Sequence, residues 1–360
     1  MTLAELAERV WYGHGTAAAA ARAALAPAAV LFRAAAAGRS ALYDRGLFGA
    51  HALGAPALGV GNLTVGGTGK TPVAAWACAE LAARGARPAL LMRGVGDDEA
   101  RVHALLNPSV PVVADPDRVR GAARALALGA DALVLDDAFQ HRRARRDADL
   151  VLVSAERFDA RAVRALPAGP YREGLGALAR ASVAVVTRKS ASPAGAREAA
   201  NALRPWVPGG AVAVVHLAAD GLRRWDGDET RPLTALRGAA VLAAAGVGDP
   251  GAFAAQLRAA GADVALVRRP DHHAYTDDDA AELASRATSA RFGPSPWVVT
   301  TLKDAVKLGP RWPRGAPPLW YVSQRVTVER GADLLAARLD AVAAAARRHA
   351  APPTSSDPPL

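Results

Sequence analysis

The sequence predicts an α/β protein with a mostly parallel sheet, a second, smaller α/β unit and a helical N-terminal region. Three observations predict it. From Ala57 onward, short apolar runs alternate with helical segments, as strands joined by crossover helices do. A glycine-rich segment stands where the first of these runs turns into a helix. The alternation stops beyond Pro205, gives way to two β-like stretches, and resumes near Leu233. The divisions are therefore a helical region over 1–50, a first α/β domain over 51–210, a β-stranded linker over 211–232, a second α/β domain over 233–348 and a disordered tail over 349–360.

Composition bounds the partners. The 360 residues are enough for two domains with buried cores. A net charge of +10 suits an acidic partner such as a nucleotide, a nucleic acid or an anionic membrane. Lysine occurs only at Lys70, Lys189, Lys303 and Lys307 in a chain otherwise rich in arginine, which marks these four as positions where a compact point charge is wanted. A lone cysteine, Cys78, excludes an internal disulfide and a cysteine-based zinc site. The N-terminus lacks the pattern of a secretory signal, so a cytoplasmic location or the cytoplasmic face of a membrane is expected.

The N-terminal region carries a helical pattern over Thr16 to Ala37, with Arg22 and Arg33 eleven positions apart. A bilayer needs roughly 20 apolar residues, so a helix lying in a membrane interface and a helix packed on the protein are the two readings.

The segment Val60-Gly61-Asn62-Leu63-Thr64-Val65-Gly66-Gly67-Thr68-Gly69-Lys70-Thr71-Pro72 follows the apolar run Ala57 to Val60. Its residues 64–71 form a phosphate loop: Thr64, Val65, Gly66, Gly67, Thr68 and Gly69 wrap an anion with backbone N–H groups, Lys70 reaches the outer phosphates, and the Thr71 hydroxyl ligates Mg²⁺. Thr64 stands where the strict pattern has its first glycine. Strands are expected at Pro88–Met92, Val110–Val113, Ala132–Leu135, Leu150–Val153 and Val183–Thr187, with helices over 73–84, 116–129 and 192–203.

Ligands of such sheets gather beyond the carboxyl ends of the strands. After Pro88–Met92 comes Arg93-Gly94-Val95-Gly96-Asp97-Asp98-Glu99, either a helix cap or a source of a general base. After Ala132–Leu135 comes Asp136-Asp137-Ala138-Phe139-Gln140-His141; a strand-terminal Asp in a phosphate-loop protein sits on the Mg²⁺ side. Further on, Leu166-Pro167-Ala168-Gly169-Pro170-Tyr171-Arg172-Glu173 presents an arginine and a glutamate from a proline-bounded loop.

In the second unit, strands are expected at Val241–Ala245, Ala262–Val267, Trp297–Thr300 and Leu319–Val322, with a helix over Asp249–Ala260. Between two strands lies Pro270-Asp271-His272-His273-Ala274-Tyr275-Thr276. Thr276 with Asp279 makes a capping box, and the histidine pair suits acid–base or phosphate contact better than metal, since no third ligand has convincing spacing. Thr301-Leu302-Lys303-Asp304-Ala305-Val306-Lys307 sets two lysines on one helical face.

Taken together, GNLTVGGTGKTP at 61–72, LDDAFQH at 135–141, LPAGPYRE at 166–173, GVGDP at 246–250, PDHHAYT at 270–276 and TLKDAVK at 301–307 resemble the tetraacyldisaccharide 4'-kinases of lipid A biosynthesis. The resemblance runs in order from the N-terminal helix to about residue 325, and Thr64 at the glycine position is a habit of that family. It implies a P-loop NTPase-like domain, ATP and Mg²⁺ as cofactors, and phosphorylation of the 4'-hydroxyl of an acylated glucosamine disaccharide 1-phosphate at the inner membrane's cytoplasmic face, with no nucleic-acid partner. By the same resemblance Asp98 and His272 are the catalytic pair beside Lys70, and Thr71, Asp136 and Asp137 lie on the metal side. Arg93, Gln140, His141, Arg172 and Glu173 are substrate contacts. The family's tyrosine and proline around the Gly-Asp-Glu segment are absent here, which leaves Asp97 as the alternative to Asp98. A membrane-bound ATPase switch and a basic nucleic-acid scaffold are the competing classes; the chain lacks the aromatic-interleaved basic runs of the second.

Overall fold

The computed structural model describes residues 3–94, 97–271 and 273–350, without the side chains of residues 3–5, Asp97 and Ala350. In chain order the elements are α1 (Leu3–Tyr12), α2 (Thr16–Asp44), β1 (Ala57–Asn62), α3 (Lys70–Ala83), β2 (Pro88–Met92), α4 (Asp97–Leu106), β3 (Val112–Ala114), α5 (Arg118–Ala127), β4 (Ala132–Asp136), β5 (Ala148–Ser154), β6 (Val183–Arg188) and α6 (Pro193–Leu203). The second half adds β7 (Val212–Arg224), β8 (Thr230–Arg231), β9 (Ala240–Ala245), α7 (Pro250–Ala259), β10 (Asp263–Arg268), α8 (Asp277–Ala287), β11 (Trp297–Thr301), α9 (Leu302–Leu308), β12 (Leu319–Arg330) and α10 (Ala332–Ala350).

The strands of both halves belong to one 12-stranded sheet in the order β10-β9-β11-β12-β7-β6-β5-β1-β4-β2-β3, with β8 paired to β7. Every pairing is parallel except β7 with β12 and β7 with β8. The long antiparallel seam of β7 and β12 carries the sheet from one half into the other. β1 lies between β4 and β5 and is buried along its whole length, so the loop that follows it springs from the buried middle of the first half's sheet.

Most expected elements fall within a residue or two of their observed bounds. β3 starts later than Val110 because Val110 turns back on Asn107 and Pro111 has no N–H to give the ladder; the Pro111 carbonyl instead accepts from Leu90. α2 runs beyond Ala37 to Asp44. α10 is an element that the sequence reading did not foresee. Its Leu335, Leu339, Val342 and Ala346 fall on one helical face and enter the core of α3 and β1 beside Val73 and Leu81, while Arg84 pairs with Asp340 at 2.7 Å. The tail expected from 349 begins as the end of this helix, and 351–360 lie outside the described residues.

Helix α2 is the exception to this packing. Of its 29 residues only Ala29 is buried, and, where the sequence left only an interfacial or a packed helix, its full span is long and apolar enough by length and composition to cross a membrane.

Candidate active site

The loop between β1 and α3 is held from three sides. Asn62 at the end of β1 donates to the Thr68 hydroxyl at 2.9 Å, and Thr187 at the end of β6 donates to the Thr68 carbonyl at 2.8 Å. Val65 N–H donates to the Pro170 carbonyl at 2.8 Å and Arg172 N–H to the Leu63 carbonyl at 2.7 Å, so the proline-bounded segment is strapped to the loop. Gly69 caps α3 with φ 86°, and a Cβ there would come within 2.2 Å of Leu217; glycine is required on both counts. Thr64 is not among the residues of positive φ, so its backbone has no need of the missing glycine. The result is a helix N-terminus opening on a glycine-lined turn, a geometry that favours anions.

Lys70 is the first residue of α3, and its ammonium lies 3.6 Å from Asp137. Asp137 is held at φ 49°, the one non-glycine residue of positive φ among the described residues. Arg172 Nη1 donates to both Asp137 oxygens, at 3.1 and 3.2 Å. Gln140 Nε2 donates to the Asn62 carbonyl at 2.9 Å and to Glu173 at 3.0 Å, and Glu173 in turn accepts from Arg180 at 2.7 Å. Gln140, Arg172 and Glu173 thus form a single network with Asp137 and the loop.

Asp136 has other partners. Its Oδ2 lies 3.0 Å from His103 Nε2 of α4, and its Oδ1 accepts from Asp137 N–H at 2.8 Å. Burial alone would raise this carboxyl; the His103 hydrogen bond, the His103 and Lys70 charges and the backbone donor more than offset it and keep it below the ordinary range. Both oxygens of Asp136 are therefore engaged inside the protein, and Asp137 is the member of the pair that faces Lys70.

Two residues of this cluster escaped the sequence reading. His103 sits in the middle of a helix, with no local signal. Arg118, buried at the start of α5, donates to the Asp136 and Asp115 carbonyls at 3.2 and 2.8 Å, and burial lowers its guanidinium. Its position just past β3, at the carboxyl edge of the sheet, is the signal that could have found it. His141 stands apart: its Nε2 is buried with no partner among the described residues, and burial together with Arg118, Arg146 and Arg39 pushes its imidazole down, toward the neutral form. Arg93 follows β2 and is exposed.

The acidic start of α4 faces α9. Asp98 lies 3.6 Å from Lys307 and Glu99 3.4 Å from Lys303. His272 lies outside the described residues. Its neighbour His273 is 2.9 Å from Asp279 and meets the Tyr275 ring edge-on at 4.9 Å; Thr276 and Asp279 form the expected capping box. No cluster of three or more His, Cys, Asp or Glu able to hold a metal occurs among the described residues.

The model of one family, described as Tetraacyldisaccharide-1-P 4'-kinase, matches residues 21–344 of the chain. A tetraacyldisaccharide 4'-kinase of Anaeromyxobacter sp. (strain Fw109-5) is 43% identical, over 94% of this chain and 96% of its own length. The kinase of the same name from Halorhodospira halophila is 36% identical over 87% of this chain and 91% of its own. Among solved structures, LpxK from Aquifex aeolicus in complex with ATP superposes with a TM-score of 0.69 at 29% identity, covering 88% of this chain and 99% of that one.

Proposed function

The chain belongs to the tetraacyldisaccharide 4'-kinase family, and from that premise we propose that it transfers the γ-phosphoryl group of ATP to the 4'-hydroxyl of a tetraacylated glucosamine disaccharide 1-phosphate, giving lipid IV-A. The observation that carries this reading is Lys70 at the N-terminus of α3, facing the Asp137 carboxylate that Arg172 fixes.

Phosphoryl transfer requires an anion cradle, charge neutralisation and a deprotonated acceptor. The loop amides of 64–71 and Lys70 bind and orient the phosphates. The Thr71 hydroxyl and the Asp137 carboxylate are hard oxygen donors of the kind Mg²⁺ takes, so the residues present fit the metal and would hold it. Bound there, Mg²⁺ would supply charge neutralisation on the transferring group. Asp136, tied to His103, fixes Asp137 from behind. Asp98 takes the proton of the 4'-hydroxyl, with His272 as its partner in that role, and Arg93, Gln140, His141, Arg172 and Glu173 line the approach of the sugar.

The domain division that suits this chemistry is a phosphate-loop unit over 51–210, a ribbon over 211–232 and a second unit over 233–348, whose last helix returns to the first. Helix α2 and the turn after it present Val30, Leu31, Phe32, Leu47 and Phe48 to solvent, a surface suited to the acyl region of the cytoplasmic leaflet of the inner membrane.

Incubation of the full chain with γ-labelled ATP, Mg²⁺ and the acylated disaccharide tests the reading. Label moves to the lipid, and Lys70→Ala abolishes that transfer; an intact protein that labels no lipid in any detergent overturns it. Asp98→Asn and His272→Ala each slow a single turnover without weakening ATP binding.

A further inference from the structure

Two of the chain's four lysines lie on one short helix and point at the acidic start of another. α9 is anchored firmly. Its N-cap Thr301 donates to Asp304 Oδ2 at 2.7 Å and accepts from Asp304 N–H at 3.2 Å, and the same Asp304 oxygen accepts from Gly246 N–H at 3.1 Å. Asp304 is fully buried, so the helix is locked onto the carboxyl ends of β9 and β11. From this base Lys303 and Lys307, one turn apart, reach across to Glu99 and Asp98 of α4.

The two pairs differ in their exposure to water. The Lys307 and Asp98 side chains are 15% and 11% exposed, against 37% and 32% for Lys303 and Glu99. An exposed pair is screened and contributes little; the inner pair is held where the attraction is less screened. Lys307 also lies over the buried Tyr275 ring, 6.0 Å from its centroid, and Tyr275 closes the Asp-His-His segment. The Lys307 ammonium therefore sits between the Asp98 carboxylate of α4 and the Tyr275 ring of the second half.

We propose that Lys307 is a positioning residue for phosphoryl transfer: it holds the Asp98 carboxylate in register with the Asp-His-His segment, while Lys303 and Glu99 form a dispensable outer strut. This rests on the reading of Asp98 as the group that deprotonates the acceptor. A carboxylate displaced by about 1 Å loses on the order of 100-fold in rate, and because Lys307 acts through Asp98, its loss and that of Asp98 must not add.

The test is a double-mutant cycle on the full-length protein, with ATP, Mg²⁺ and the acylated disaccharide as substrates. Lys307→Ala lowers kcat about 100-fold with the KM for ATP changed by less than about 3-fold, and Lys307→Arg, which keeps the charge, recovers a substantial part of the loss. Lys303→Ala changes kcat by less than about 3-fold. In the Asp98→Asn background, Lys307→Ala costs less than about 3-fold. An Asp98→Asn protein that retains full activity overturns the base assignment and this proposal with it. An inactive Asp98→Asn protein combined with a Lys307→Ala effect that is absent, or as large in that background as in the wild type, overturns the proposal alone. Lys307→Gln, with its folding checked by thermal denaturation, gives the same reading should the alanine variant fail to fold.

Discussion

His103 Nε2 and Asp136 Oδ2 lie 3.0 Å apart, with both side chains shielded from water. The pair ties α4, whose first turn carries Asp98, to the end of β4, where Asp137 leaves the sheet. Removing the imidazole leaves a buried carboxylate short of a partner, a loss of about 1–3 kcal/mol for the orphaned group. His103→Ala therefore lowers the urea midpoint and, by loosening both carboxylates, slows the reaction. His103→Ala with wild-type stability and turnover would show that the pair organises nothing.

Asp137 and Asp136 are adjacent in sequence but differ in their partners. Asp137 faces Lys70, whereas Asp136 is engaged by His103 and by the Asp137 backbone. Asp137→Asn raises the Mg²⁺ concentration needed for half-maximal transfer more than Asp136→Asn does, and the indirect effect of Asp136 falls within about 10–100-fold, the range of an outer partner. Chelation with EDTA stops transfer in all three proteins. A Mg²⁺ titration ranks the two carboxylates; the reverse order would move the metal-side role to Asp136.

Asp115, at the end of β3, gives a pH signature. Arg120, then the Asp117 N–H and Arg124, hold its carboxyl down to about 2, against about 3.9 in an unfolded chain. A depressed folded pKa adds stability above the unfolded value, and that contribution is lost as pH falls through the folded one. The stability gap between wild type and Asp115→Asn is thus full above about pH 4 and closes toward about pH 2. Denaturation midpoints across that range check it; a gap unchanged with pH would refute the assignment.

On α2, Leu31 is 73% exposed and Val30 57%. Because both are more exposed than buried, Leu31→Asp and Val30→Asp leave the thermal midpoint nearly unchanged while weakening binding to anionic lipid vesicles. Vesicle flotation measures this, and flotation equal to wild type would remove these side chains from the membrane contact.

What could be read directly from the sequence was what is contiguous. The phosphate loop is one run of residues whose glycines, Lys70 and Thr71 carry their own geometry, and Asp136–Asp137 is marked by the apolar strand before it. His103 and Arg118 were invisible because only the packing of α4 and α5 on the sheet brings them to Asp136. The union of both halves in one sheet depends on β7 pairing with β12, about a hundred residues away, and no local pattern encodes such a pairing. α10 does carry a face, in Leu335, Leu339 and Val342, but the alanines around it favour helix on every side and dilute that pattern. The lysines were informative for the opposite reason: in an arginine-rich chain their scarcity singled out Lys303 and Lys307, and the fold supplied Glu99 and Asp98 as their partners.

The proposed reaction phosphorylates one particular hydroxyl, so the position of the new phosphate tests it most directly. With ATP, Mg²⁺ and tetraacyldisaccharide 1-phosphate as substrates, ³¹P–¹H correlation spectroscopy of the purified product is predicted to show a second phosphate coupled to the proton at the 4' carbon, and none when Lys70→Ala replaces the wild type. A phosphate coupled at any other carbon, or ATP hydrolysed with the lipid unchanged, would contradict it.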